Sequence, residues 1–368
     1  MGRRRRRSRH PKKYCSVQYL KCIGYTKQGK GIVNFKGKPF HVDELIEGES
    51  AQILVYYEED DFGTARAIRL KKSSHKRALP LGHWKFSLGS YQIPHLKDEY
   101  QDEFKQNQVN ALFEQSLPIK VGQRTFYRNK VSLTNGGFMP PGRGRRYSIV
   151  PEEFDLMKLD FSKYPQDKVT IVRRLETEIF GKPGTKIFAH DKMLGKKFQV
   201  GLDSFYQVNS EMAKIAYEDI LSFIPDQKVI FDLFGGAATI GIIVSDKATK
   251  VYSVEVNKDS HQDALTNIKL NNIKNVEAIL GDANDFVINS KVRPDVIIVD
   301  PARAGLLSES VAAINKSKAE LVIYLSCNIE TQARDVKKLD NYKIIRVQPY
   351  DFFPQTYHIE NLVVMKLK

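Results

Sequence analysis

Cysteine is scarce in this chain of 368 residues, which has only Cys15, Cys22 and Cys327. Three cysteines cannot supply the bridges of a disulfide-rich fold, and the first pair lacks the usual spacing of a zinc site. Long apolar runs are also missing, since no stretch approaches the roughly 20 residues of a membrane-spanning helix. The basic N-terminus has no apolar segment behind it, so no secretory signal is expected. These absences predict a protein of the reducing cytoplasm.

Acidic residues are absent from residues 1–30, which contain eleven Lys and Arg. The whole chain has 58 Lys and Arg against 43 Asp and Glu, a formal net charge of +15. A run such as Arg3–Arg7 can neutralise phosphates and release their counterions. The charge therefore favours nucleic acid as the partner, and the alternative is a tail that only keeps the protein in solution.

The N-terminal part is predicted to be a basic arm followed by a small barrel. Residues 1–13 are expected to be disordered, and residues 14–72 contain short strand-like segments between turns. Five such segments in under sixty residues are typical of an OB-like β-barrel, which often binds oligonucleotides but also serves as a spacer. The segments are Ser16–Ile23, Gly31–Phe35, Pro39–Val42, Gln52–Tyr57 and Thr64–Leu70.

Residues 73–200 are predicted to form a linker and a central α+β domain. Leu96–Phe113 is rich in helix-forming residues, and Phe126–Val131 has the composition of a mixed polar strand. The loop Asn135–Arg146 is rich in glycine and carries Arg143, Arg145 and Arg146. It is either a basic loop that meets RNA or a plain surface connection.

Residues 201–368 are predicted to form an α/β domain with a seven-stranded, Rossmann-like sheet. The first five of its apolar β-rich runs alternate with helix-like stretches, as in a doubly wound parallel sheet. The last two have no helix between them, which indicates an antiparallel hairpin at the edge. The runs are Val229–Leu233, Tyr252–Val256, Val276–Leu280, Val296–Asp300, Val322–Leu325, Ile344–Val347 and Leu362–Met365.

Ligands of such sheets bind outside the carboxyl ends of the strands. The first strand is followed by a loop of small residues, Phe234–Gly241, without the G-x-G-x-x-G pattern or a Walker lysine. A nucleoside therefore suits this loop better than a pyrophosphate. Glu255, Asp282 and Asp300 follow the next three strands. These acids suit the cationic S-adenosylmethionine, and the alternative is that each only caps the helix after it.

Two further residues are candidates for the chemistry. Cys327 follows the fifth strand at the ligand edge, in the sequence YLSCN, although a free cysteine is commonly a small buried side chain. Glu360 directly precedes the last strand and is either a general base or a solvated loop acid.

At these residues the chain resembles a known family. The runs DLFGGAATIG, DPARAGL, YLSCN and DFFPQTYHIEN are similar in order and spacing to the S-adenosylmethionine-dependent RNA (uracil-C5) methyltransferases, which modify 23S ribosomal RNA or transfer RNA. The segments Ser204–Asn209 and Phe126–Val131 also look like theirs. The N-terminal barrel resembles the TRAM domain that many ribosomal members carry.

The resemblance assigns roles to individual residues. It implies that Cys327 is the nucleophile, that Glu360 is the base and that Arg128 belongs to the uracil pocket. The positions that match the family's cofactor-binding residues are Gln207, Phe234, Glu255, Asp282 and Asp300. Many relatives hold an iron–sulfur cluster on four cysteines, but the matching stretch Leu81–Leu96 has none, so we expect neither a cluster nor another metal.

The resemblance implies formation of 5-methyluridine in RNA through a covalent bond between Cys327 and uracil C6. The barrel and the basic arm favour 23S ribosomal RNA over U54 of transfer RNA. A non-catalytic RNA-binding or folding factor is a further alternative, which the presence of Cys327 and Glu360 disfavours. An amino-group methyltransferase is disfavoured because Asp300–Arg303 reads DPAR rather than an aromatic Pro-Pro loop. We expect the protein to be a monomer.

Overall fold

The computed structural model describes residues 14–16, 18–139, 156–166 and 168–368. The expected basic arm at residues 1–13 and the arginines of the expected basic loop lie outside the described residues. The chain divides into two compact units, one running up to Phe104 with the addition of Gln355–Tyr357, the other comprising Lys105–Pro354 and His358–Lys368. The domain limits at residues 72 and 200 stay predictions.

The first unit contains a closed β-barrel. Its third, fourth and fifth strands differ little from prediction, whereas the first predicted segment, Ser16–Ile23, overlaps only the second strand, and the short first strand lies before it. The long fifth strand pairs with both the second and the sixth, which closes the order β5-β2-β3-β4-β6 into a barrel. The strands are β1 Tyr14–Cys15, β2 Leu20–Tyr25, β3 Gly31–Phe35, β4 Lys38–Asp43, β5 Ser50–Glu58 and β6 Gly63–Lys72. The predicted small β-barrel is confirmed.

The barrel core follows from alternation along its strands. In β5 the buried residues Ala51, Ile53 and Val55 alternate with half-buried ones, as expected when only one face of a strand is inside. After the barrel come a 3-10 helix, Trp84–Ser87, and helix α1, Asp98–Asn110. Helix α1 is shorter at both ends than the predicted Leu96–Phe113.

The second unit begins with two small antiparallel sheets. Strands β7 Lys130–Thr134, β8 Val169–Arg174 and β9 Glu178–Gly181 form one, and strands β10 Phe188–Met193 and β11 Lys196–Gly201 form the other. A 3-10 helix, Phe161–Lys163, precedes β8. The prediction of a strand over Phe126–Val131 is wrong except at its last two residues, because Phe126 has a φ of 54°, Arg128 forms only an isolated bridge with Asn209, and β7 starts at Lys130.

The rest of the second unit is a seven-stranded sheet with six helices, as predicted. Five strands are parallel, and the last pairs antiparallel with both of its neighbours, in the order β14-β13-β12-β15-β16-β18-β17. A 3-10 helix, Ser245–Lys247, precedes β13. The elements are α2 Ser210–Phe223, β12 Lys228–Leu233, α3 Thr239–Val244, β13 Ala248–Glu255, α4 Lys258–Leu270, β14 Val276–Leu280, α5 Ala283–Asn289, β15 Val296–Val299, α6 Ser308–Ser317, β16 Leu321–Ser326, α7 Ile329–Val336, β17 Tyr342–Tyr350 and β18 Glu360–Leu367.

Both faces of this sheet are buried. Successive residues of one strand belong to different apolar clusters: Ile298 packs in the cluster that includes residues of α2, α3 and α4, and Ile297 in the cluster that includes residues of α5, α6 and α7. Two covered faces explain why the strands are continuous apolar runs. Within the described residues, no helix is long and apolar enough to cross a membrane.

Candidate active site

A cavity of about 720 Å³ opens at the carboxyl ends of the parallel strands. It lies where β12 is flanked by β13 on one side and β15 on the other, which is the switch point at which ligands of such sheets bind. The residues that line it come from seven stretches of chain: Arg128, Asp203–Phe205, Gln207, Val208, Phe234, Gly236, Glu255–Asn257, Asp259, Ser260, Asp300–Arg303, Cys327, Phe353 and Glu360. Every predicted site residue except Asp282 is therefore brought to one cavity.

The loop after β12 has an unusual backbone. Phe234, Gly236 and Ala238 have φ values of 64°, 56° and 58°, and for the two residues with a Cβ this left-handed conformation costs on the order of 1 kcal/mol each. The loop is held by the backbone N–H of Gly236, which donates to Glu255 at 2.9 Å. The strained turn brings the Phe234 side chain and the Gly236 backbone to the cavity.

The buried Asp232 also holds this loop in place. Its Oδ2 accepts hydrogen bonds from Ser253 Oγ at 2.7 Å and from the backbone N–H of Gly241 at 3.0 Å. Burial raises the pKa of Asp232 to about 6 despite these two donors. A Cβ added at Gly235 would overlap Ser253 Oγ and lie 2.8 Å from Asp232 Oδ2, so glycine is the residue that fits there.

Glu255 lies at the end of β13 with both carboxylate oxygens already accepting backbone N–H groups. Gly236 donates to one oxygen, and Asn257 donates to the other at 2.7 Å. Each carboxylate oxygen retains further lone pairs, so the fixed carboxylate can still accept hydrogen bonds from a ligand in the cavity. Glu255 could be predicted as a site residue because it lies at the end of the second strand of the sheet.

Asp282 has a different position. It is exposed, it caps helix α5 by accepting from the backbone N–H groups of Asn284 and Asp285, and it is not among the residues that line the cavity. These hydrogen bonds lower the pKa of Asp282. Capping of the following helix was the alternative role considered for the acids at the strand ends, and Asp282 has that role.

The other end of the cavity holds a thiol and two carboxyl groups. Burial, followed by the charges of Glu360 and Asp300, raises the pKa of the Cys327 thiol to about 12. Burial and the charge of Asp300 raise the pKa of Glu360 well above its ordinary value. Burial and the charge of Asp232 raise the pKa of Asp300 to about 7, against the opposing effect of Gln207 Nε2, which lies 3.4 Å from Asp300 Oδ2. In the free protein at neutral pH, Cys327 therefore keeps its proton.

Local hydrogen bonds fix the backbone around Cys327. Ser326 Oγ accepts from the backbone N–H of Asn328 at 3.1 Å, and the Asn328 side chain accepts from Glu330 as the cap of α7. Asn328 Nδ2 also donates to the carbonyl of Arg303 at 2.8 Å. The residues on either side of the thiol thus connect β16, α7 and the loop that follows Asp300.

Arg303 and His358 were not assigned by sequence reasoning. Arg303 lines the cavity and its positive charge lowers the pKa of Cys327, opposing the larger effects named above. The ring of His358 packs edge-on against Phe353 at 6.0 Å, and burial followed by the charge of Arg303 lowers the pKa of His358 to about 4. The sequence signal for both was their place within the DPAR and HIEN runs.

The segment that leads to Glu360 is anchored by a buried ion pair. Lys105 Nζ lies 2.6 Å from Asp351 Oδ1 and donates to the carbonyl of Phe353 at 3.1 Å, with both charged side chains almost completely buried. Arg124 approaches the second oxygen of Asp351 at 3.4 Å. Phe353 then lines the cavity, whereas Phe352 is wholly buried in the core.

Two features of the cavity suit a cationic nucleoside cofactor. Its carboxyl groups outnumber its guanidinium groups, and its floor includes the apolar faces of Phe234 and Val256. The buried Oε1 of Glu360 has no hydrogen-bond donor among the described residues, so this wall of the cavity has an acceptor for a ligand or substrate group. The residues present fit S-adenosylmethionine.

The comparisons with known proteins agree with this geometry. The model of the tRNA (uracil-5-)-methyltransferase family matches residues 187–368. A Mycoplasma mobile protein described as an uncharacterized RNA methyltransferase is 36% identical over 359 residues, which are 95% of this chain and 98% of that protein. An Oceanobacillus iheyensis protein of the same description is 26% identical over 93% of this chain and 95% of its own length.

Among solved structures, that of the Pyrococcus abyssi tRNA (uracil-54, C5)-methyltransferase in complex with S-adenosyl-L-homocysteine has a similar fold. Its TM-score is 0.76 at 20% identity, and it covers 94% of this chain and 99% of the other. The family model and the Mycoplasma mobile relative show that this protein is an S-adenosylmethionine-dependent methyltransferase that acts on RNA. The chain belongs to the RNA (uracil-C5) methyltransferase family.

Proposed function

We propose that this enzyme transfers a methyl group from S-adenosylmethionine to C5 of a uridine in 23S ribosomal RNA. The observation that carries the proposal is one cavity that contains Cys327, Glu360 and Asp300 together with Gln207, Phe234 and Glu255. We assign the cofactor to the last three and Asp300, with Asp282 at the margin, and the uracil to the side of Arg128. A nucleophile, a base and a cofactor pocket within one space are what methylation at uracil C5 requires.

Uracil C5 is too weak a nucleophile to react unaided. The Cys327 thiolate adds to C6, which forms the S–C6 bond and moves the electron pair of the C5–C6 double bond toward C5. When bound, S-adenosylmethionine would supply the methyl group that C5 takes, with S-adenosylhomocysteine as the leaving group, and a positive charge that would lower the pKa values of nearby acids. Glu360 then removes the C5 proton, the double bond re-forms, and the Cys327 thiolate leaves.

The protons can be followed through the cycle. The Cys327 proton passes to Asp300, which with a pKa of about 7 is partly ionised at neutral pH, and it returns when the thiolate is released. The proton that Glu360 takes from C5 is lost to solvent. The base must also be turned out of any stack to reach the thiol, at a cost of a few kcal/mol.

The choice of 23S ribosomal RNA is supported by the N-terminal part of the chain. The barrel offers a second surface for RNA, and the eleven Lys and Arg of residues 1–30 add positive charge before it. Both features suit a large RNA. Transfer RNA U54 is the second candidate, because the Pyrococcus abyssi protein that shares the fold is named for that nucleotide. We also propose that the protein acts as a monomer.

The test uses methyl-labelled S-adenosylmethionine with unmodified 23S ribosomal RNA and transfer RNA transcripts. After nuclease digestion, mass spectrometry should find 5-methyluridine from the 23S transcript, and Cys327→Ala should abolish it while cofactor binding survives. Cys15→Ala, which removes an exposed cysteine, is the matched control and should leave turnover unchanged. Label from transfer RNA alone would replace the proposed substrate, and label retained by Cys327→Ala would refute the mechanism. Cofactor binding without any methyl transfer would favour the folding factor.

Glu360 is tested separately. Without a base the adduct cannot release the C5 proton, so Glu360→Gln should accumulate a covalent complex between protein and RNA. This complex should migrate as a shifted band under denaturing conditions and should disappear in Glu360→Gln/Cys327→Ala. If the single variant forms no such band while wild type methylates RNA, the base lies elsewhere.

A further inference from the structure

The side chain of Gln332 connects the two strands that carry the nucleophile and the base. It lies in α7 and is fully buried. Its Nε2 donates to the carbonyl of Tyr324 in β16 at 2.8 Å and to the carbonyl of Asn361 in β18 at 2.9 Å. Its Oε1 accepts from Asn361 Nδ2 at 2.8 Å. The Gln332 amide therefore hydrogen-bonds to Asn361, near the start of β18, through both its nitrogen and its oxygen.

Asn361 directly follows Glu360, and neighbouring side chains on a strand point to opposite faces. Glu360 lines the cavity, whereas Asn361 meets Gln332 of α7 on the other side. The hydrogen bonds between Gln332 and Asn361 thus hold β18 on the face away from the cavity, at the residue next to Glu360. The Oε1 of Glu360 has no donor of its own among the described residues, so no hydrogen bond to this oxygen fixes the carboxyl group, and the position of its backbone matters.

Gln332 is also connected to the segment that contains Cys327. Helix α7 begins two residues after Cys327, and the backbone N–H of Gln332 donates to the carbonyl of its cap, Asn328, at 3.1 Å. In the sheet, Ser326 lies opposite Asn361 in the antiparallel register. Cys327 therefore directly follows Ser326, Glu360 directly precedes Asn361, and the Gln332 side chain is hydrogen-bonded to both strands.

We propose that Gln332, acting through Asn361, is a positioning residue that holds the Glu360 carboxyl group for removal of the C5 proton. The inference rests on the proposed function, because it concerns the step that breaks the bond between Cys327 and C6. A base must lie within hydrogen-bond reach of the proton that it takes. A displacement of about 1 Å can cost on the order of 100-fold in rate.

The alternative is that the hydrogen-bonded side chains of Gln332 and Asn361 only stabilise the fold. Replacing Gln332 removes its hydrogen bonds to two carbonyls and one amide, and each buried group left unsatisfied costs about 1–3 kcal/mol. Loss of stability alone lowers the amount of active protein and affects both chemical steps equally. A displaced Glu360 instead slows release from the adduct and leaves its formation intact. The fraction of enzyme held as adduct therefore separates the two roles.

The experiment compares wild type with Gln332→Met, which keeps a similar volume and removes the hydrogen bonds. Asn361→Ser removes the same contact from the other side and serves if Gln332→Met does not fold. Tyr342→Phe is the matched control, since it removes a buried hydrogen bond to the carbonyl of Ile314 at the far end of β17 from the cavity. Each protein is mixed with labelled cofactor and the transcript that wild type methylates, and adduct and 5-methyluridine are followed over time.

We expect Gln332→Met to form adduct at nearly the wild-type rate and to resolve it about 10- to 100-fold more slowly, with Tyr342→Phe unchanged. Adduct at the wild-type level in Gln332→Met and Asn361→Ser, while Glu360→Gln accumulates it, would overturn this inference alone. If Glu360→Gln itself forms no adduct, the proposed mechanism fails and this inference fails with it.

Discussion

Gly235 provides a prediction that depends on contacts within the cofactor loop. A methyl group at this position would overlap Ser253 Oγ and approach Asp232 Oδ2. Relief of the overlap requires the Ser253 hydroxyl to leave Asp232, which is 1% exposed. Overpacking costs about 1–3 kcal/mol, and a weakened hydrogen bond to a buried charged group costs about 1–3 kcal/mol. We therefore expect Gly235→Ala to lower the free energy of unfolding by about 2–6 kcal/mol.

The assay is denaturant unfolding of Gly235→Ala, Ser253→Ala and the double variant, with cofactor affinity measured by calorimetry. Because both single changes disrupt the same hydrogen bond and Ser253→Ala also removes the overlap, the double variant should be more stable than the sum predicts, by about 1–2 kcal/mol. Gly281→Ala is the control, since a Cβ there meets no atom within 4 Å. Strict additivity of the two changes, or a harmless Gly235→Ala, would refute this account of the loop.

Three further predictions concern the chemistry. Asp300 accepts the thiol proton only when ionised, and its pKa is raised to about 7 in the free protein, so kcat/KM for S-adenosylmethionine, which reports the free enzyme, should rise with pH through about 7 and lose this inflection in Asp300→Asn; a flat profile in wild type would contradict the role. Glu255→Gln should weaken cofactor binding about 10- to 100-fold in calorimetry, because hydrogen bonds to a charged acceptor contribute about 1.5–3 kcal/mol; unchanged affinity would remove Glu255 from the cofactor site. Purified protein should contain no iron and no acid-labile sulfide, and a stoichiometric amount of either would overturn the prediction that no cluster is present.

The sheet and the outline of its site could be predicted because their signals are local. Each motif directly follows an apolar run, and the carboxyl ends of parallel strands share one edge of a sheet. Glu255, Asp300 and Cys327 therefore reach one cavity although 72 residues separate the first from the last. The barrel was predicted for a similar reason, since its turns are marked by glycine.

The central strands were missed because their sequences carry weak patterns. In β9 and β10 most residues are exposed or half-buried, so no apolar run marks them. The Lys105–Asp351 pair was missed for another reason, because its partners lie 246 residues apart in the chain. Asp282 shows the limit of the strand-end rule: the rule locates the residue, but not whether its side chain turns to the cavity or caps the helix.

The charges of the chain and of its cavity have opposite signs, and this difference bears on which ligand goes where. The sequence as a whole has a net charge of +15, and a positive field favours the approach of a polyanion such as RNA. The cavity lining instead has five carboxyl groups, Asp203, Glu255, Asp259, Asp300 and Glu360, against Arg128 and Arg303. The carboxyl groups would repel the pyrophosphate of a dinucleotide cofactor, whereas they attract a sulfonium and an ammonium group. Burial and two of these carboxyl groups, Glu360 and Asp300, raise the pKa of Cys327, so part of the arrangement that selects a cationic cofactor also keeps the thiol protonated until positive charge is bound.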